Sequence, residues 1–302
     1  MTTPSGPPPG PQPGQSGGQV ELPACFRHAD RPTGLRCSRC DRPACPECLR
    51  EASVGYQCVA CVNDGARTVR PFRQRTIAGA PLADKAVVVP ALIVINLLIY
   101  AYTAYQAHDI GDVTAAPLFQ RWAERPVLVG HGDWWQVITS GFLHVTPVHI
   151  VMNMLSLWWI GKDLERIMGR LRFTAVYLVS LFGGGVSVLL FADPQGQVAG
   201  ASGAVFGLLG GVLVVVLKLK LNPGSVIATI AINLVLSVAI PGISLLGHVG
   251  GLVVGALVTA AILYAPQVNR NYWQAGAVVV SVLALLGMVL LRDPALAGMP
   301  IG

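Results

Sequence analysis

The fold class that this sequence predicts is an all-α polytopic membrane protein preceded by a small metal-binding domain. Three observations lead there. Of 302 residues, 53% are hydrophobic and only 12% charged, with a mean hydropathy of +0.58; soluble domains carry about twice that share of charge. The charge is concentrated before residue 86 and in short breaks between apolar blocks. All seven cysteines lie within residues 25–61.

Residues 1–24 are rich in Pro, Gly, Ser and Gln and are expected to form a disordered tail. No apolar stretch follows Met1, so no cleaved signal peptide is expected. Residues 25–62 carry four paired knuckles: Cys25–His28, Cys37–Cys40, Cys45–Cys48 and Cys58–Cys61, each with a two-residue gap. Zn²⁺ takes four S/N ligands in a tetrahedron, and such a gap lets one turn present two of them. Eight ligands make two closed, structural sites, and an odd number of cysteines does not close as disulfides. The order resembles B-box-like cross-brace zinc modules. That likeness implies one ion on Cys25, His28, Cys45 and Cys48 and another on Cys37, Cys40, Cys58 and Cys61; spacing alone leaves sequential pairing open.

Residues 63–85 form a basic juxtamembrane linker, with Arg67, Arg70, Arg73, Arg75 and Lys85 against Asp64 and Asp84. The run suits a topogenic, lipid-facing flank. No nucleic-acid partner is expected.

Seven apolar segments follow, at 86–106, 147–161, 172–192, 202–217, 225–241, 244–264 and 274–291. A helix needs about 20 residues to cross the hydrocarbon layer, so the second and fourth are short. The break after the second carries Lys162, Arg166, Arg170 and Arg172, that after the fourth Lys218 and Lys220, and that after the sixth Arg270. Breaks after the third and fifth carry no Lys or Arg. Even-numbered exits, the N-terminus and the zinc module are therefore expected in the cytoplasm. The loop 107–146, with "HGDWWQVITSGFLH", is then external and suits the interfacial layer.

This topology makes Ser202 more than packing material. It heads a short helix at the external side, and the polar loop 193–201 must dip into the protein to reach it. Irregular backbone at membrane depth is tolerated where protein or a wet cavity surrounds it. A nucleophilic serine needs a base, and His248 lies at comparable depth. Gly203, Gly207 and Gly211 form one ridge and Gly247, Gly251 and Gly255 another, so the two helices can approach closely. His149 and Asn153, four apart on one helical face, can join the Ser202 N–H in stabilising an oxyanion. A plain packing role for the glycines, and mutual hydrogen bonding of His149 and Asn153, are the bland alternatives.

"GASG" heading a short helix, "HIVMN" on an earlier one, "GKDLERIMG" after it and "GHVGGLVVG" on a later one closely resemble the rhomboid intramembrane serine proteases over residues 86–264. The resemblance implies a bacterial member with a rhomboid-like six-helix bundle, plus one C-terminal helix within 265–302. It implies a Ser202–His248 dyad without an acidic third member and an oxyanion site of His149 and Asn153. It further implies support from Gly200, Gly203 and Phe206, a helix end tied by Glu165, and an external loop ordered by His144. Phe206 replaces a tyrosine that in many members stacks on the catalytic histidine. Gln136 replaces an arginine, which puts the loop's anchoring in question, and Ser140 replaces a histidine found in some members. The implied activity is cleavage of transmembrane helices of membrane-protein substrates within the bilayer of the plasma membrane, with no catalytic metal. A cytoplasmic protein partner for the zinc domain is expected as well. Competing classes are a non-catalytic rhomboid-like chaperone or binder, and a transporter, for which no internal repeat speaks.

Overall fold

The computed structural model describes residues 21–68, 75–82 and 84–301 and divides the chain into two units, Met1–Phe72 and Arg73–Gly302. The expected tail up to residue 20, together with Arg70 and Arg73, lies outside the described residues.

In the first unit, β1 (Ala24–Cys25) pairs antiparallel with β2 (His28–Pro32), and β3 (Leu49–Glu51) with β4 (Tyr56–Cys58). A single turn of 3₁₀ helix, Pro46–Cys48, precedes β3, and α1 (Val59–Thr68) follows β4. Hairpins this short are not stable alone. Their buried cluster consists of Cys25, Cys37, Cys45, Cys48 and Cys58 with only Ala44 and Leu49 added. A core made largely of thiols buries little hydrocarbon, and its donors could hold a metal. The expected linker starts as helix, since α1 runs on past Cys61.

The second unit opens on a turn at residues 76–80, held to the last helix by Arg270 Nη2 on the Ile77 carbonyl (2.6 Å) and Gln274 Nε2 on that of Ala78 (3.0 Å). Then come α2 (Val88–Ala107), the short α3 (Pro117–Trp122), α4 (Pro126–Gly130) and α5 (Gln136–Thr139), and α6 (Pro147–Met168). They are followed by α7 (Arg170–Phe191), α8 (Ser202–Lys218), α9 (Gly224–Ala239), α10 (Leu245–Leu263) and α11 (Arg270–Ala297). Among the described residues, four helices (α2, α7, α10 and α11) are long and apolar enough to cross a membrane, while α6 qualifies together with the bent segment 136–142 before it. The chain is a multi-pass membrane protein.

Two segments differ from expectation. The second is not short: α6 has 22 residues, because the "GKDLERIM" stretch stays helical and Gly169 alone (φ 78°) turns the chain into α7. Conversely, α9 joins α8 among the short helices, at 16 and 17 residues.

The interior is centred on α7, whose most apolar window is 72% buried. Its Gly184 sits where α7, α8 and α10 meet. A Cβ there would lie 2.9 Å from the Gly247 carbonyl oxygen and 3.4 Å from Gly203 Cα. Between α8 and α10, Gly251 abuts the backbone of Gly203 and Gly255 that of Gly207. Lipid offers helices no hydrophobic gain from association, so such backbone-to-backbone packing is what joins them. By contrast α9 buries only Ile230 and Ser237.

Candidate active site

Local signals set each side chain in place. Pro147 starts α6 without needing an N–H partner, and Thr146 Oγ1 caps it by accepting from His149 N at 3.2 Å. Ser244 caps α10 through Gly247 N at 3.1 Å, one residue before His248. The first N–H groups of α8, starting at Ser202, have no intrahelical acceptor, as at any helix start, and no N-cap side chain accepts from them. Before α8 the strand-like loop is tied to the segment 107–146 by paired bonds between Glu124 and Val198, both 2.9 Å, and by Gly200 N on the Ser140 carbonyl at 3.0 Å.

Gly200 itself has φ 137°, a conformation glycine alone adopts freely. A Cβ on it would stand 2.8 Å from His149 Nε2 and 3.6 Å from Ser202 Oγ, so these two groups flank one small space. Across α8, Phe206 lies face to face with the His248 imidazole, centroids 4.1 Å apart and planes 14° from parallel. Loss of the tyrosine hydroxyl at this position leaves the stack intact. His248 is 6% exposed; its Nδ1 meets Ser237 Oγ at 2.6 Å, and its Nε2 is buried with no partner among the described residues. His144 packs edge-on against His149 at 5.1 Å. Asn153 Nδ2 spends one hydrogen on the His149 carbonyl at 3.0 Å, which leaves its second N–H free to act. Phe206 of α8 and His248 of α10 thus pack together, and Ser202 and His149 flank Gly200 at the head of α8, with Asn153 one turn from His149; among the described residues no hydrogen bond joins Ser202 Oγ to His248 Nε2.

Comparison with known proteins follows the same stretch. The Rhomboid domain model matches residues 131–265. The chain is 34% identical over 157 residues to the rhomboid protease GluP of Bacillus subtilis (strain 168), covering 50% of this chain and 31% of that one. It is 32% identical over 210 residues to RHOMBOID-like protein 4 of Arabidopsis thaliana, covering 59% and 53%. With RHOMBOID-like protein 6, mitochondrial, of Arabidopsis thaliana it shares 33% identity over 229 residues, covering 62% of this chain and 74% of that one.

The chain belongs to the rhomboid family. It spans about half or less of the length of the first two of these relatives.

Several supporting residues of this rhomboid act in ways the sequence does not announce. Glu165, 2% exposed, caps the neighbouring α2 rather than its own helix: its carboxylate accepts from Val87 N at 2.7 Å and from Val88 N and Val89 N at 3.0 Å. Gln136, fully buried, accepts from Arg125 N at 3.1 Å and donates to the Arg121 carbonyl at 3.3 Å, so an amide does anchor the loop 107–146. Ser237 escapes notice because a serine in an apolar helix passes for packing.

The zinc-type ligands form two groups, Cys25, His28, Cys45 and Cys48, and Cys37, Cys40, Cys58 and Cys61, with all ligand atoms of a group within 4.8 Å of one another. This is the alternating arrangement, not the sequential one. A tetrahedral Zn²⁺ site sets its S···N edges at about 3.5 Å and its S···S edges at about 3.8 Å. Here His28 Nδ1 lies 3.3 Å from Cys45 Sγ and 3.4 Å from Cys48 Sγ, and Cys40 Sγ 3.7 Å from Cys58 Sγ. Burial opposes ionisation of Cys37, but N–H groups of Cys58 and Arg39 outweigh it and bring the thiol down to about 6. Cys61 goes the other way, pushed up to about 12, chiefly by the neighbouring Cys40 thiol and by burial. Four crowded thiols ionise together when a cation joins them, so the donor set fits a divalent metal.

Proposed function

We propose that this rhomboid is a serine-type intramembrane endopeptidase that hydrolyses peptide bonds in or near transmembrane helices through a Ser202–His248 dyad. The observation that carries the proposal is the arrangement at the head of α8. A half-buried serine hydroxyl shares a small space with His149, while His248, clamped by Phe206, keeps its buried Nε2 free.

In the proposed mechanism His248 Nε2 takes the Ser202 hydroxyl proton as Oγ adds to the substrate carbonyl. The oxyanion is held by the Ser202 N–H, His149 and the spare N–H of Asn153. His248 then returns the proton to the leaving amine, and water entering from the external side hydrolyses the acyl-enzyme. Gly200 keeps the oxyanion space open and Gly203 lets α10 reach the site. Substrates are membrane-protein helices with Gly, Pro or small residues near the external face, since a helical carbonyl must first be unwound.

The proposal extends to the whole chain. Residues 86–264 are the six-helix catalytic core and 265–302 add the seventh helix and tail, multi-pass in a bacterial plasma membrane, with residues 63–85 as juxtamembrane linker. Lysines and arginines at the exits of α6, α8 and α10 support a cytoplasmic N-terminus and an outward-opening site. The module at 25–62 would bind two structural Zn²⁺ ions on its two ligand groups and would contact a cytoplasmic protein. When bound, the metal supplies cross-linking of the hairpins and no catalytic chemistry.

Cleavage of a model transmembrane peptide by the wild type and by Ser202→Ala in parallel tests the enzyme. Activity is expected in the first and none in the second, with equal folding. Cleavage that survives Ser202→Ala would overturn the dyad. A fluorophosphonate probe should label the wild type at Ser202; no labelling of a folded protein would favour a helix-binding chaperone instead.

A further inference from the structure

We infer that Ser237 on α9 is a positioning residue that fixes the proton of His248 on Nδ1 and so leaves Nε2 as the base. The inference rests on the dyad proposed above. It follows from counting protons. Ser237 Oγ lies 2.7 Å from the Asn233 carbonyl oxygen and 2.6 Å from His248 Nδ1. A hydroxyl has one proton to give, and a carbonyl oxygen can only accept. If that proton pointed at Nδ1, two oxygen lone pairs would face each other at 2.7 Å in a site where Ser237 is 5% exposed. The proton therefore goes to Asn233, Oγ becomes the acceptor, and the donor must be Nδ1–H. A neutral imidazole carries a single N–H, so its other nitrogen presents a lone pair. That nitrogen is the buried Nε2 with no partner among the described residues.

The arrangement performs the orienting task of the acidic member in a catalytic triad, which holds the tautomer and ring of its histidine. A neutral hydroxyl does so without placing a second charge in a membrane interior, where charges are costly. It cannot stabilise the imidazolium as a carboxylate would. The ring is then restrained on two sides, by the Phe206 face and by the Ser237 oxygen. Three helices meet on it: α8, α9 and α10. Because α9 buries only Ile230 and Ser237, this bond is one of its few interior contacts.

The experiment uses the full chain in lipid nanodiscs with ¹⁵N-labelled histidine, the His248 signals being those lost in His248→Gln. In the wild type the Nδ1 signal is expected at the protonated position and Nε2 at the unprotonated one. Ser237→Ala should give a mixture of the two tautomers and lower kcat about tenfold, with KM changed by less than about twofold. Ser237→Thr, which keeps the hydroxyl, should restore the single tautomer and most of kcat. A wild-type His248 protonated on Nε2 would overturn the inference. So would a folded Ser237→Ala that keeps both tautomer and kcat. If the alanine variant does not fold, the wild-type spectrum and the threonine variant decide. Failure of the dyad shows separately, as cleavage that persists in Ser202→Ala, because the tautomer is read without turnover.

Discussion

At the scale of single residues, position decides more than residue type. Gly200 has φ 137°, and a methyl group on it would press on His149 Nε2 at 2.8 Å. Gly200→Ala combines backbone strain with displacement of His149, the proposed oxyanion donor. It is expected to cost about 1–3 kcal/mol of stability and to lower kcat/KM about tenfold or more, read by thermal unfolding and peptide cleavage. Glu165 presents the opposite case, important to the fold and remote from the chemistry. Its two oxygens satisfy the N–H groups of Val87, Val88 and Val89 at the start of α2. In Glu165→Gln one oxygen becomes an NH₂ that faces donors, so a loss of about 1–3 kcal/mol is expected. Activity per folded molecule should not change. A melting temperature equal to wild type would show that solvent, not Glu165, satisfies that helix end. Ser202, His248, His149 and Asn153 were legible as candidates because each is a polar group in an apolar run. Ser237 was not, because its partner His248 becomes visible only once α9 and α10 are folded against each other.

At the scale of elements, what the sequence exposed best was the pair of glycine ridges. Spacing of four puts Gly203 and Gly207 on one stripe of α8 and Gly251 and Gly255 on one of α10, and the structure sets these stripes in contact. The stripe is legible because it needs only helical periodicity. Helix ends were less so: charge suggested a cytoplasmic break at residue 162, whereas Glu165 and its neighbours remain helical to serve α2. The segment 107–146 also hid its short helices, since α3, α4 and α5 are four to six residues long and lack a full hydrophobic period. The ridges yield a test. Gly251 touches the backbone carbonyl of Gly203, beside Ser202, and backbone cannot move aside as a side chain can. Gly251→Val should push α10 outward and carry His248 with it; a misplacement near 1 Å costs roughly a hundredfold in rate. Fluorophosphonate labelling of Ser202 should therefore fall steeply in Gly251→Val. It should be unchanged in Gly276→Ala, where a Cβ on α11 meets nothing within 4 Å. Equal labelling of both variants would mean that the seam does not set the dyad.

At the scale of the whole molecule, the chain holds two interiors built on different physics. The second unit has one continuous apolar cluster running from Ala78 to Leu296, whereas the first unit's cluster is mostly cysteine. Their stabilities should therefore respond to different agents. Zinc binding in small domains is itself folding free energy, about 10–16 kcal/mol for structural sites in peptides at neutral pH. The two hairpins of the first unit, of at most five residues per strand, have little else to hold them. A strong chelator added to the purified full chain is expected to remove two zinc ions, one from each ligand group. Amide exchange in residues 24–58 should then become fast, while protection in α7, α8 and α10 stays as it was. Replacing Cys58, a proposed ligand in the second group, by serine should release one ion and loosen β3–β4 first. Metal analysis and hydrogen exchange measured on the same samples check both statements. Unchanged exchange in 24–58 after complete metal loss would mean that the small cluster around Ala44 and Leu49 suffices, and the thiols would then need another explanation.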